Sequence, residues 1–275
     1  MTPAFPILDD HFHLNRRTGR GPEVIKEFMR SGGTHIVLVT LPSWSCGVTP
    51  SAPADFREVF DSTLADAEAV RELGCTCYCM AGVHPAEVGR LLERMSLTEA
   101  ETLMKGGLDV AAEYVADGKC IGLKSGRPHY PVSPEVWDMA NRVLSHALTL
   151  AGELDCPLQI HAESGPCADV IDMAKAAGMD TSRVIKHFAT CETPLLPPAN
   201  RSLLTGSARG ACLRWRAISW TTTPAPELST ARVPFRGPFS GCSRKEISRQ
   251  TMSGGFTETF RQNSTAYRSK FDFGD

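Results

Sequence analysis

The amino-acid sequence predicts an α/β protein built as a (β/α)8 TIM-like barrel, of which six β-α units are recognisable. Three observations lead to this fold class. Short apolar runs typical of buried parallel strands alternate with longer segments of helical period. The 275 residues suffice for one such barrel without a second domain. Polar residues follow the apolar runs, at the strand ends that a barrel uses for binding and catalysis.

The predicted elements alternate as strand and helix along the first two thirds of the chain. The clearest strand is HIVLVTL at 35–41, which is almost entirely apolar, as expected for a parallel strand covered on both faces. The predicted strands span 5–9, 35–41, 75–83, 120–125, 157–161 and 184–187. The predicted helices span 23–30, 56–73, 98–116, 134–153 and 168–177. Such repeats form a parallel sheet with right-handed crossovers, and this one is two strands short of closure.

Charge and cysteine usage restrict the function classes. Lys and Arg number 29 against 31 Asp and Glu, so no positive field points to a dedicated nucleic-acid surface or an anionic membrane. No apolar run reaches the length of a membrane span, and the first residues lack a signal-peptide pattern, which predicts a cytoplasmic protein. Cys75, Cys77 and Cys79 alternate along one strand, so we expect small core residues rather than disulfides or zinc ligands.

A set of polar residues at strand ends predicts a metal site. His11 and His13 close the first strand, and alternate residues of an extended segment point the same way, so both imidazoles can reach one ion. His35 begins a strand and His146 lies within a helix, so both are interpreted as structural or solvent-facing. The residues that end later strands, and that would converge at one barrel mouth, are His84, Lys124, His161 and His187.

With His-x-His on strand one, a bridging-ligand position on strand four and single histidines on strands five and six, the chain resembles the amidohydrolase superfamily. The DDHFH start at 9–13 and the GVHP element at 82–85 are most similar to its TatD-related branch of metal-dependent hydrolases, over about residues 5–213. The resemblance implies a hydrolase with one or two divalent ions of zinc, manganese or iron. It implies as ligands His11, His13, His161 and His187.

Lys124 departs from the TatD pattern, which usually places a glutamate on strand four. An ammonium has no lone pair to offer a metal ion. A lysine carboxylated by carbon dioxide can bridge two ions, and the phosphotriesterase and dihydroorotase branches, which this chain resembles here, carry a lysine on this strand. The alternative is an ordinary cation that contacts substrate beside a single metal. We favour the carboxylated form, which makes Lys124 a bridging ligand and the candidate catalytic residue.

Four further residues form the predicted substrate-binding set. Arg127 and His129 closely follow Lys124 and are placed to hold an anionic group, or else to form a salt bridge within the loop. Glu163 lies two residues after His161 and would fix the tautomer of a ligating histidine. His84, in the GVHP element, completes the set.

From Arg214 onward the sequence has no strand or helical period, which divides the chain into a hydrolase barrel at 1–213 and a tail at 214–275. One interpretation is a disordered tail. The other is a frameshift near 213–217. When the codons are read one base earlier, Trp220-Thr221 permits Met-Asp, and 227–239 permits a stretch similar to the one that follows the family's strand-eight aspartate. In the same frame, 269–270 permits a stop codon. We favour the frameshift, which removes that metal-binding aspartate and the closing strands.

Three functions follow from these alternatives. The first is hydrolysis of a phosphodiester or related ester, as in TatD nucleases, with a small molecule or nucleic-acid fragment as substrate. The second is hydrolysis of a lactone, ester or amide at a centre with a carboxylated lysine. The third is an inactive metal-binding product of a frameshifted gene. The fold alone does not choose among them, and the sequence indicates no oligomeric state.

We predict that this chain is less stable and less active than a frame-corrected version. A barrel without its last strands exposes unpaired backbone groups beside an apolar interior. Loss of the aspartate that accepts a proton from water typically costs ~10²–10⁴ in rate. Thermal unfolding and turnover of both versions check this prediction, and equal stability and activity would show that the tail is native.

Overall fold

The fold is a parallel sheet whose strands follow chain order. The computed structural model describes residues 7–161 and 167–187. The strands are β1 Leu8–Phe12, β2 His35–Val39, β3 Thr76–Gly82, β4 Gly122–Gly126, β5 Leu158–His161 and β6 Val184–Lys186. Neighbouring strands all pair in parallel, in the order β1-β2-β3-β4-β5-β6. The six predicted strands are therefore confirmed, with the largest shift in bounds at β1.

Helices connect these strands as predicted. Within the described ranges they are α1 Val24–Arg30, α2 Ser43–Cys46, α3 Phe56–Glu72, α4 Glu87–Leu91, α5 Leu97–Ala116, α6 Pro134–Glu153 and α7 Asp169–Ala176. Short 3-10 segments lie at Gly21–Glu23, Pro53–Asp55 and Thr181–Arg183. The short α2 and α4 were not predicted; they follow β2 and β3 on the side of the candidate site. None of the helices in this part of the chain is long and apolar enough to cross a membrane.

The two longest helices begin at serine caps that the sequence encodes. Ser96 Oγ accepts a hydrogen bond from the Glu99 backbone N–H at 3.3 Å, and the Glu99 carboxylate accepts one from the Ser96 N–H at 2.8 Å. This reciprocal pair is a capping box. At α6, Ser133 Oγ accepts from the Val136 N–H at 3.4 Å, and Pro134 occupies a position whose N–H would lack a helical partner. The caps fix where each helix starts, and so which face it turns to the sheet.

The sheet has an apolar outer face and a largely polar inner face. Because side chains alternate along a strand, Leu123 and Ile160 point toward the helices and belong to the main core. Cys77 and Cys79 lie in the same core as thiols outside any disulfide, which confirms their predicted role. A smaller apolar cluster on the inner face consists of Val37, Val39 and Met80.

A contact between the two edge strands shows that the sheet is curled. At ~4.8 Å per strand, β1 and β6 would lie about 24 Å apart in a flat sheet of this order. The imidazole rings of His11, in β1, and His187, directly after β6, instead stack with centroids 3.6 Å apart. The sheet therefore curves around its inner face, which confirms the predicted incomplete TIM-like barrel. The predicted tail at 214–275 and the two closing strands lie outside the described residues.

Two glycines permit close strand contacts beside the candidate site. A Cβ added at Gly82 would lie 1.7 Å from the backbone oxygen of Lys124. A Cβ at Gly126 would lie 1.7 Å from the backbone oxygen of His161, and Gly126 also has a φ of +155°. Backbone cannot rotate away from such a clash as a flexible side chain would. Both glycines are therefore required where β3, β4 and β5 approach one another.

We predict that Gly82→Ala and Gly126→Ala each lower the free energy of unfolding by ~1–3 kcal/mol, the usual cost of overpacking. Chemical denaturation of the full chain measures this loss. Gly89→Ala in α4 is the matched control, because its Cβ would make an ordinary 3.6 Å contact with Tyr130 Oη and alanine favours helix. Equal stabilities of all three variants would contradict the strand contacts described here.

Candidate metal centre

The histidines of the predicted site converge on the inner face of the curled sheet. His11 is buried, and it shares the inner face with His13, two residues further along the chain. His84 and His161 approach with ring centroids 4.7 Å apart, and His161 and His187 with centroids 5.8 Å apart. The structure thus brings these histidines together at one end of the sheet, and their roles as metal ligands stay predictions.

His11 and His13 bring two ring nitrogen atoms close together. Their Nε2 atoms are 3.0 Å apart. His13 Nδ1 lies 2.9 Å from the Val39 carbonyl oxygen, which can only accept, so Nδ1 carries the hydrogen and Nε2 a lone pair. His11 Nδ1 lies 2.8 Å from Gln159 Oε1, which places the His11 hydrogen on Nδ1 in the same way. Two lone pairs thus face each other at hydrogen-bond distance.

This pair fits a metal ion by the chemistry of its donors. With Zn–N bonds of about 2.0–2.1 Å, two ligands of a tetrahedral site lie about 3.3 Å apart, close to the observed separation. A cation between the two Nε2 atoms would remove the repulsion between their lone pairs. Within residues 7–161 and 167–187, however, no three His, Cys, Asp or Glu side chains are arranged to share one ion. The complete four-histidine set therefore stays a prediction.

Lys124 lies at the centre of the histidines. It is 0% exposed, and its Nζ has no hydrogen-bond partner among the described residues. Burial lowers the pKa of Lys124 to about 7, because the charged form loses its hydration. A buried amine in this position can be neutral, which is the state that reacts with carbon dioxide.

The surrounding histidines are held neutral. Burial, followed by the positive charge of Lys124, lowers the pKa of His13, His161 and His187 to about 3. The same two causes, in the same order, bring the pKa values of His11 and His84 well below the usual range. Neutral imidazoles retain the lone pair that a metal ion requires.

The sequence of this chain matches a known protein family. The model of the TatD related DNase family matches residues 8–229, which is most of the chain and includes every described strand. The chain belongs to this family. The match runs beyond 213, the predicted end of the barrel domain, and the boundary at 213 stays a prediction.

A curated relative supports membership of the TatD-related family. The uncharacterized protein MJ1127 of Methanocaldococcus jannaschii is 33% identical over 191 residues, which cover 67% of this chain and 65% of the relative. The chain thus spans slightly less than two thirds of that protein's length. The name of the relative gives no activity.

Solved structures show weaker similarity to this TatD-family chain. A mutant PTE-like lactonase from Deinococcus radiodurans is 16% identical, with a TM-score of 0.40, over 66% of this chain and 59% of the lactonase. The phosphotriesterase homology protein from Escherichia coli, complexed with phosphate, is 14% identical, with a TM-score of 0.40, over 64% and 61% of the two chains. Scores at this level are too low to support a conclusion about activity.

The predicted substrate-binding residues occupy different environments in this TatD-family chain. Arg127 is 1% exposed, forms an ion pair with Asp169, donates to Asn141 Oδ1 at 3.2 Å and lies 4.8 Å from the centroid of the Trp137 ring. These contacts match the salt-bridge alternative, although the partner lies on α7 rather than in the loop. Contact of Arg127 with substrate stays a prediction. Glu163 lies outside the described residues.

His129 connects the metal centre to a neighbouring cleft. Its Nδ1 lies 2.8 Å from His161 Nε2, so one proton is shared between these two imidazoles. The cleft has a volume of roughly 590 Å³ and is lined by His129, Tyr130, Val132, Trp137, Asp138 and three prolines. Its lining contains no Lys or Arg, so it is suited to an uncharged group rather than to a chain of phosphates.

Two residues of the site were missed by the sequence analysis. Gln159 is 2% exposed and contacts His11 from the opposite side of the barrel. Asp9 accepts the His11 backbone N–H at 3.1 Å, and burial raises the pKa of its carboxyl to about 7. The signal for Gln159 was a polar residue inside the apolar strand LQIH, two positions before His161 and therefore on the same face.

We predict that the protein purified with zinc binds it stoichiometrically, and that replacing His11 and His13 together by alanine abolishes this binding. The double variant removes both facing lone pairs. Metal content measured by mass spectrometry after dialysis checks the result. His146→Ala is the matched control, since His146 is paired with Asp109 on a helix surface. Unchanged zinc content in the double variant would exclude the proposed pair of ligands.

Proposed function

We propose that this chain is a divalent-metal-dependent hydrolase acting on a phosphodiester or a related ester. The observation that carries the proposal is the pair of Nε2 lone pairs of His11 and His13, 3.0 Å apart on the inner face. Membership of the TatD related DNase family supports the reaction type. His161 and His187 are proposed as the remaining histidine ligands, and zinc, manganese and iron all suit imidazole donors.

The residues of the site have distinct roles in this proposal. His11 and His13 would hold the ion. What a bound divalent ion supplies is polarisation of a carbonyl or phosphoryl oxygen and a lower pKa for water. His129 and His161 share a proton between Nδ1 and Nε2, so His129 can orient the His161 ring. The buried surroundings exclude bulk water and strengthen each electrostatic interaction.

Lys124 is proposed to carry a carboxyl group derived from carbon dioxide. The neutral amine would form a bond from Nζ to the carbon of carbon dioxide, and one proton would leave the nitrogen to give a carbamate anion. This anion would replace the glutamate that TatD enzymes usually have on this strand. The support is structural: Nζ is buried, surrounded by imidazoles and without a hydrogen-bond partner among the described residues.

A second candidate is hydrolysis of a lactone, ester or amide. The cleft beside His129 favours it, because Tyr130, Val132 and Trp137 offer apolar surface and Asp138 would repel an anion. A substrate with an aromatic or alkyl group could fill this cleft while its carbonyl lies at the metal centre. We also propose a cytoplasmic location and no membrane partner. If the tail results from a frameshift, this chain retains metal binding with little activity.

We predict that the zinc-loaded, frame-corrected protein hydrolyses an aryl phosphodiester faster than an aryl ester or a lactone, and that the present chain is slower on all three. Lys124→Ala should lower kcat/KM by at least roughly 100-fold, because even loss of an outer-shell partner of a metal ligand typically costs up to that factor. Added acetate or propionate should restore part of this activity by replacing the carbamate. Initial rates with the three substrates measure these differences.

Lys119→Ala is the matched control, since Lys119 is exposed and paired with Asp117. A preference for the ester or lactone would favour the second candidate function. Absence of turnover in both the present and the frame-corrected chain, each with zinc bound, would contradict a hydrolase. Full activity of Lys124→Ala without added carboxylic acid would exclude the carbamate.

A further inference from the structure

We propose that Gln159 is a positioning residue that sets the tautomer of His11 and thereby directs the His11 Nε2 lone pair toward the metal centre. The inference deepens the proposed function and rests on it for the identity of the site. Gln159 lies in β5, two residues before His161, and is 2% exposed. It touches no reacting atom, and its effect passes through His11.

Both ends of the Gln159 amide are engaged with β1. Its Nε2 donates a hydrogen bond to the backbone oxygen of Asp10. Its Oε1 lies 2.8 Å from His11 Nδ1. β5 pairs with β4 and β6 in the sheet, whereas β1 pairs with β2. Gln159 therefore crosses the interior of the curled sheet and links strands that are not hydrogen-bonded neighbours.

The fixed polarity of the Asp10 carbonyl determines the orientation of this amide. A carbonyl oxygen can only accept, so the NH₂ end of Gln159 must face Asp10 and its oxygen must face His11. That oxygen in turn requires a hydrogen on His11 Nδ1. A neutral imidazole carries one ring hydrogen, so His11 Nε2 is left with a lone pair. The Asp10 carbonyl thus orients the Gln159 amide, and the orientation of this amide sets the tautomer of His11.

His13 would favour the opposite tautomer of His11. Since His13 Nδ1 donates to the Val39 carbonyl, its Nε2 is an acceptor, 3.0 Å from His11 Nε2. Without Gln159, His11 would lower its energy by moving its hydrogen to Nε2 and donating it to His13. That hydrogen bond would occupy both lone pairs that a metal ion needs. Gln159 therefore prevents a direct His11–His13 hydrogen bond that competes with metal binding.

The test uses the full chain with Gln159→Met, which keeps the length of the side chain and removes both hydrogen bonds, and Gln159→Glu, which retains only the acceptor. Nitrogen-15 NMR of the metal-free protein at pH 8, with His11 assigned through His11→Ala, reports the tautomer. We expect hydrogen on Nδ1 in the original chain and in Gln159→Glu, and on Nε2 in Gln159→Met. Zinc affinity, measured by competition with a chromophoric chelator, should fall ~10–100-fold in Gln159→Met and less in Gln159→Glu.

Ile160→Val is the matched control, because Ile160 is equally buried on the opposite face of β5 and should change neither readout. Hydrogen on His11 Nε2 in the original chain would overturn the inference even if no variant folds. Zinc affinity of Gln159→Met equal to that of the original chain would overturn it while leaving the metal site intact. If the original chain binds no zinc, the metal proposal fails. The difference in His11 tautomer between the original chain and Gln159→Met then still decides the role of Gln159.

Discussion

The site depends on a short contact that is unfavourable by itself, the 3.0 Å approach of the His11 and His13 Nε2 lone pairs. Each ring is oriented from behind by an acceptor, the Val39 carbonyl for His13 and the Gln159 amide oxygen for His11. Holding two acceptors together in a buried site costs free energy unless a cation lies between them. The surrounding structure therefore favours a cation between the two Nε2 atoms, since both imidazoles are neutral.

The curled sheet is what maintains this arrangement. The apolar outer face packs against the helices and provides stability, while the inner face holds the histidines and the buried Lys124. Gly82 and Gly126 allow β3, β4 and β5 to approach closely around Lys124. Burial then lowers the pKa of Lys124 to about 7 and makes each neighbouring interaction stronger than it would be in water. The outer face thus contributes most of the stability, and the inner face carries the proposed site.

The sequence allowed prediction of the strands and of the histidines, because continuous apolar runs mark where buried strands end, and alternation along an extended segment gives the direction of the side chains. His11, His161 and His187 could be placed at one end of the barrel on this basis. The role of Gln159 could not, because it depends on how far the sheet curves to bring β5 opposite β1. Arg127 was predicted either to hold an anionic group or to form a salt bridge within its loop. Its contacts with Asn141 on α6 and Asp169 on α7 could not be foreseen, because a pattern within one loop does not show how helices pack against it.

The account is tested most directly by an anomalous-difference map from crystals of the full chain grown with zinc. The shared lone-pair geometry predicts a peak within ~2.0–2.2 Å of both His11 Nε2 and His13 Nε2. In the electron-density map from the same crystals, density that continues from Lys124 Nζ toward the zinc peak would show the predicted anionic ligand. A map in which zinc occupies another part of the protein, while His11 and His13 are joined by a hydrogen bond between their Nε2 atoms, would contradict the account.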